Sequence, residues 1–457
     1  MGRSDLILLF VVAVVNLNVV PSIAANGAVT IWLWLLALVF FFWPQGIAVI
    51  ELAERYAGEG GVYLWTKKYF GDFHGFLSGW CYWTNNVFYI PTVLLYLVGV
   101  MFFAGGDKTK ALADDPQVTF FAALAALILL VALNIAGMGV GKWVNNLGGI
   151  GTLVIAVVLI GLGAVVLATH GSSLTAADFR WAGSSGRVVS TFGTICFGLV
   201  GLELASVMGD EIRDPQKNLP PAVAWGGVLS GVLYIGATLT LLLAVPKDSI
   251  GVLQGIVEAI SSMARQVGAP WIVSPLAIVL SVSIAGIASA WLSGSARIPF
   301  VAGLDRYLPA VLGKLHPRTG APYVALIVHG VLSAVFLQLS FSKGASVQEA
   351  FAIMLASAVV LQLVPFLYMF TALIKIAVRP QDHAGHYSRR TLLFAGASGL
   401  LTTVLGIIVA FVPSKQITSV WTFELKMAAS MVFFIGLAAF FFAWARYKAR
   451  TRPAAAV

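Results

Sequence analysis

Charge is what this sequence has least of. Only 10% of its 457 residues are Asp, Glu, Lys or Arg, 59% are hydrophobic, and the mean hydropathy is +0.92. A soluble domain of ordinary composition carries about a quarter charged residues, so the totals describe a polytopic membrane protein. Cysteine is almost absent. Cys81 and Cys196 both lie inside apolar runs, which argues against a disulfide framework, and neither has the His or Cys neighbours of a metal site. Long polar segments are missing as well, leaving no room for a soluble catalytic domain. No span carries the paired acids or histidine clusters that intramembrane catalysis requires, so neither an enzyme nor a cofactor is expected. The formal charge of +9 does not point to nucleic acid, because the basic residues sit in short loops between apolar runs and form no continuous face.

What the chain has in abundance is membrane-length apolar sequence. About 20 such residues cross the hydrocarbon as a helix, and by that measure an all-α protein of twelve spans is expected. They fall at 6–25, 28–50, 74–103, 117–136, 144–168, 189–208, 222–245, 271–296, 321–340, 348–377, 392–412 and 424–445. Residues 6–20 followed by Ser22 could pass for a secretion signal, but Arg3 alone precedes them and Asp5 sits beside it, so a first membrane helix is the reading taken. Trp32, Trp34, Trp143 and Trp421 flank spans as an interfacial belt does. An even number of spans puts both termini on one side. Lys and Arg favour that side roughly two to one, which predicts cytoplasmic termini in a multi-pass plasma-membrane protein.

Two of the spans are interrupted. The first contains Asn16, Asn18 and Pro21, and a proline removes a backbone donor. The sixth contains Gly198-Leu199-Val200-Gly201 and then Glu203. Each glycine costs roughly 1 kcal/mol in a helix interior, and a carboxylate at membrane depth is costly unless it is protonated, paired or wetted. Spans one and six are five apart, the spacing that an inverted repeat of five helices gives its two discontinuous members. Broken helices of this kind expose backbone groups to solutes.

These residues resemble the amino acid–polyamine–organocation permease superfamily. The resemblance is carried by Phe197 to Glu203 with Asp210-Glu211, Asp214-Pro215 and Asn218 to Pro220 beyond it, and by Glu51 to Arg55 followed by Gly60 to Trp65 and Phe70-Gly71. Gly75-Phe76 and Asn86 to Thr92 are similar to its glutamate:GABA-antiporter-like branch. Arg297 to Pro309, His316-Pro317 and Ala321 to Tyr323 also fit. The resemblance implies a LeuT-like fold, with ten helices in two inverted repeats over residues 1–380 and two peripheral helices over 381–457. It implies a secondary carrier of amino acids or related amines, worked by alternating access and driven by protons, by sodium or by an exchanged solute. A polyamine carrier and a non-transporting substrate sensor are the alternatives. By position it puts substrate at Asn18, Val19, Val20 and Pro21 and at Phe197, Gly198, Leu199, Val200 and Gly201, with Phe197 as an aromatic gate. Half-helix N-termini and bare amides there would take a carboxylate, and carbonyls an ammonium. Two departures stand out. Asn18 to Pro21 replaces the glycine-rich nest of many relatives, and Thr152 stands where some proton-coupled relatives carry a lysine.

Glu203 is the one carboxylate placed at mid-membrane, and two roles are open to it: coupling to protons, or ordering the broken helices by hydrogen bonding. Asn85, Asn86 and Tyr89 share a face of span three with Tyr82 and are read as possible cavity lining, as is Ser289. The stripe Ser281, Ser289 and Ser293 equally suits helix packing. His329 is expected to be structural and Arg297 to anchor at the interface. The charges of 210–217 are placed to close an inner gate, with a solvated loop as the default.

Overall fold

The structure is a computed structural model. It describes residues 2–451 except 57, 59, 173, 182–185, 208–211, 246–253, 342–345, 380–384, 414–416 and 418; for 107–108, 138–140, 142, 186–190, 215, 303–304 and 451 the backbone alone is described. Among the described residues every regular element is a helix.

The first apolar run forms two short helices, α1 (Arg3–Val14) and α2 (Val19–Ala24). A nearly continuous rod follows: α3 (Thr30–Ala37), a π-helical turn (Leu38–Phe42) and α4 (Trp43–Arg55). Next come the short α5 (Val62–Phe70), the 33-residue α6 (Asp72–Ala104) and a four-residue α7 (Asp107–Lys110). α8 (Pro116–Ile135) and α9 (Met138–His170) are long. The sixth run is again split, into α10 (Gly186–Gly198) and α11 (Leu204–Val207). Then follow α12 (Pro215–Ala244), α13 (Gly255–Gln266), α14 (Val273–Ser295), α15 (Arg297–Leu304), α16 (Tyr323–Ser340), α17 (Val347–Val378), α18 (Arg389–Ala410) and α19 (Val420–Thr451).

Ten helices among the described residues are long and apolar enough to cross a membrane. The two interrupted runs are not among them, because neither half of either reaches the length. Burial sorts the ten. Most of the apolar stretch of α6 and of α17 is covered by other helices, whereas α8 and α19 leave most of theirs exposed. Hydrophobic surface facing outward in this way suits a bilayer, where lipid rather than protein covers the outer helices.

The first interruption lies earlier than the sequence suggested. Val15 to Asn18 leave the helix, and Pro21 belongs to the first turn of α2. The first amides of a helix have no intrahelical acceptor in any case. A proline there costs nothing, and it opens the second half rather than breaking the first. In the sixth run Phe197 and Gly198 end α10, and Leu199 to Glu203 form the gap. Gly201 has φ +139° in that gap, a conformation only glycine adopts readily. Among the described residues four short α-helices, α5, α7, α13 and α15, lie outside the expected spans. α13 packs against α2, α9 and α14, and α5 packs against α6 and α17.

Candidate functional site

The two interruptions meet. A Cβ added to Gly201 would stand 2.9 Å from the Ala13 carbonyl carbon, and one on Gly198 would stand 3.1 Å from Val19 Cγ2. Both helix ends are stitched by one hydroxyl. Tyr234 of α12 lies 2.5 Å from the Val14 carbonyl oxygen and 2.6 Å from that of Gly198, and it accepts the Asn16 amide at 2.9 Å. A hydroxyl has one proton, so it donates to the two carbonyls alternately. Trp34 stacks on this ring with centroids 4.5 Å apart, and Trp291 of α14 donates its indole N–H to the Ala13 carbonyl at 3.1 Å. Helix ends that would otherwise leave orphaned carbonyls are thus satisfied by aromatic donors from neighbouring helices.

Beside this junction lies a small closed cavity of about 10 Å³, lined by Ala13, Asn16, Asn85, Tyr89, Phe197, Gly198, Val200 and Trp291. That is room for one water molecule. Tyr89 meets Phe197 and Trp291 edge-on, with centroids 5.3 and 5.8 Å apart, so three rings form much of the wall. The Asn16 side-chain amide donates to the Tyr89 hydroxyl. No lining residue is basic.

Glu203 sits at the end of the second interruption, fully buried. Its Oε2 accepts from Gln45 Nε2 of α4 at 2.8 Å and from the Gly201 amide at 3.0 Å. Its Oε1 accepts from the Tyr82 hydroxyl of α6 at 3.1 Å and from Gln362 Nε2 of α17 at 3.2 Å. Hydrogen bonds to a charged group contribute about 1.5–3 kcal/mol each, and here none of the four donors is a cation. The carboxylate therefore ties α4, α6 and α17 to the broken run through neutral donors. It also communicates with the cavity: Asn85, which lines it, donates to Gln362 Oε1, and Gln362 in turn donates to Glu203.

The remaining expected positions fall as follows. Asn85, Tyr89, Phe197, Gly198 and Val200 line the one cavity. Leu199 and Gly201 lie in the gap behind it, and Val19, Val20 and Pro21 are buried in α2. Asn18 is 1% exposed, and its side chain has no hydrogen-bond partner among the described residues. Asn86 donates to the Tyr82 carbonyl at 3.0 Å. Ser289 turns to Asn134 of α8, 3.3 Å away, and so joins helices outside the cavity. Thr152 and Ser283 share a 2.5 Å hydrogen bond between α9 and α14. His329 accepts from the Trp83 indole at 3.1 Å and fastens α16 to α6. Arg297 donates to the Ser293 carbonyl at 2.9 Å. Asp210 and Glu211 of the suggested gate lie outside the described residues.

Two contributors were missed from the sequence, Trp291 in the cavity wall and Tyr234 across the helix ends, and Asn16, read as part of the interruption, was not taken as cavity lining. Gln45 and Gln362, the partners of Glu203, were missed too. An amide inside an apolar span is itself a signal, and both glutamines carry it.

One end of the bundle is closed by polar ties. The Gly60 amide donates to the Val207 carbonyl at 3.0 Å, joining the loop before α5 to the end of α11. Lys67 lies 2.7 Å from Asp305 Oδ2, the carboxylate that Tyr63 also reaches. Burial first, and then Asp305, push the Tyr63 hydroxyl well above its ordinary value, so it stays a donor.

Membrane-length apolar helices, with two interrupted runs meeting at an enclosed cavity, define a multi-pass membrane transporter. The amino acid permease family matches residues 2–444, and the chain belongs to that family. Among its relatives is an uncharacterized transporter of Legionella pneumophila, 27% identical over 94% of both chains. A probable agmatine/putrescine antiporter of Lactococcus lactis is 22% identical over 70% of this chain and 67% of its own. An uncharacterized transporter of Mycobacterium bovis is 27% identical over 69% and 67% respectively.

Proposed function

We propose that this protein is a secondary active carrier of amino acids or related amines in the plasma membrane, working by alternating access. The two interrupted runs join the ten continuous helices to make twelve crossings, as a LeuT-like five-plus-five inverted repeat with two peripheral helices and cytoplasmic termini. Solute sits where the interruptions meet. The observation that carries this reading is the closed, aromatic-walled cavity at that junction, linked by Asn85 and Gln362 to the buried Glu203.

Glu203 is the coupling group, drawing on a proton gradient or on exchange against a second solute. In proteoliposomes, Glu203→Gln keeps the shape of the side chain, with its amide oxygen accepting from Gln45 and Gly201 and its NH2 turned to the Tyr82 hydroxyl, which can accept, and uptake loses its dependence on pH. A variant with the wild-type pH profile removes Glu203 from coupling.

A second reading, a carrier of polyamines or other cationic amines, is favoured by the cavity wall. It is built from three aromatic rings and two asparagines, residue types that suit an ammonium group, and has no basic side chain to meet a carboxylate. The relative from Lactococcus lactis with an agmatine/putrescine name leans the same way. A thermal-shift screen with amino acids and their decarboxylated amines separates the two. Stabilisation by the amine alone selects the second reading, and stabilisation by the amino acid selects the first. Binding without any uptake would identify a sensor instead.

A further inference from the structure

A groove on the outside of the bundle is separate from the cavity. It runs between α4, with the turn before it, and α12; Leu38, Phe42, Gly46, Leu202, Gly227 and Gly231 are among its lining residues, and it holds about 760 Å³. Apart from Trp43 and Tyr387, its walls are aliphatic side chains, glycine and Phe42. It opens sideways: Trp43, Val228 and Val232 on its rim are about three-fifths exposed. Glycines make the floor. A Cβ on Gly231 would stand 3.3 Å from Leu38, and one on Gly227 would stand 3.5 Å from Phe42.

The groove's length is set by its helices. Leu38 to Ile50 on one side and Val223 to Gly236 on the other each span roughly 18–20 Å at 1.5 Å per residue. One leaflet contributes about half of a 30 Å hydrocarbon layer, so the groove accommodates one chain descending from the interface through a leaflet.

Its end at Tyr387 is basic. Arg389 and Arg390 open α18 two and three residues further on, both exposed, and α18 packs against α4. Among the described residues, the two acidic groups nearby are engaged elsewhere. Glu51 binds Arg55 at 2.6 Å and accepts the amides of His386 and Tyr387 at 3.0 and 3.1 Å, while Glu54 stands 3.7 Å from His386. Neither arginine has a carboxylate partner among the described residues. An apolar channel of leaflet length, with two exposed arginines two and three residues beyond its lining Tyr387, fits one kind of bilayer molecule.

We propose that this groove seats an acyl chain of an anionic phospholipid, whose phosphate is held by Arg389 and Arg390. The chain would lie against Leu202 in the second interruption, and beside Gly46, which follows the Gln45 that holds Glu203. Occupancy therefore bears on how the interruption packs.

The test is native mass spectrometry of the full-length protein released from mixed micelles of phosphatidylglycerol and phosphatidylcholine. Two basic side chains near an anionic headgroup give a preference of about 30-fold for phosphatidylglycerol. The Arg389→Gln/Arg390→Gln pair brings that preference to parity. Gly227→Leu fills the groove and removes the retained lipid of both kinds, while Val331→Leu, on the outward face of α16, changes nothing. Equal retention of the two lipids by the wild type overturns the proposal. So does undiminished retention by a Gly227→Leu protein that unfolds at the wild-type temperature. Should Gly227→Leu fail to fold, the exposed arginine pair still decides the matter.

Discussion

At the residue scale two groups, Glu203 and Tyr234, each reach several helices at once. Glu203 gathers donors from α4, α6 and α17, and Tyr234 gathers the ends of α1 and α10. Removing the hydroxyl alone tests the second. Tyr234→Phe keeps the stack on Trp34 but removes the donor to the Gly198 carbonyl, at a cost of about 1–3 kcal/mol for a buried group left unsatisfied, while the Val14 carbonyl keeps the Asn16 amide at 2.8 Å. A lower unfolding temperature in detergent is the expected result, with Tyr96→Phe as the comparison, since the Tyr96 hydroxyl is buried with no partner among the described residues. These contacts were hidden from sequence reading because their members lie far apart: Gln45 and Glu203 are 158 residues apart, Asn16 and Tyr234 are 218 apart. No local spacing announces such pairs. Asn85 and Tyr89 were legible as candidates because polar and aromatic residues recur on one face of α6, and Phe197 because the sixth run resembles the permease motif.

At the scale of elements, the interruptions do the arranging. Glycine was the reliable signal and proline the misleading one. Gly198 ends the helix before the real gap and Gly201 lies within it, whereas Pro21 lies inside α2 and the first gap begins at Val15. Gly201→Ala meets two penalties together, a φ of +139° and a Cβ 2.9 Å from the backbone of Ala13. It is expected to separate the two interruptions, giving a folded but less stable protein with little uptake, read by thermal unfolding alongside proteoliposome transport. At the closed end, Asp305→Asn weakens the tie from α5 to the segment after α15 by removing a charge pair at 2.7 Å. A partly exposed pair of this kind contributes up to about 1 kcal/mol, so the expected change is in transport rate with almost none in unfolding temperature. An unchanged rate in reconstituted vesicles excludes this tie from gating.

For the whole molecule, the size of the cavity is decisive. A space of about 10 Å³ holds water, not an amino acid or a diamine. On the proposed reading this conformation is closed around the solute site, and binding there would require Tyr89, Phe197 and Trp291 to part. The measurement is labelling of Ala13→Cys in a protein whose buried Cys81 and Cys196 are replaced by alanine. Its reaction with a membrane-permeant maleimide is expected to quicken when a transported solute is supplied. A rate indifferent to every solute that stabilises the protein would count against alternating access.

From the chain alone came the membrane setting, the two runs that would not stay helical and the acid at the second of them. All of these follow from local quantities: hydropathy over about 20 residues, glycine's weak helix propensity and the cost of burying charge. Tertiary structure alone decided that the interruptions touch, that neutral amides and a tyrosine hold Glu203, that Ser289 faces α8, and that the cavity is shut. Those outcomes depend on which faces of distant helices pack together, and no periodicity within one helix records its neighbour.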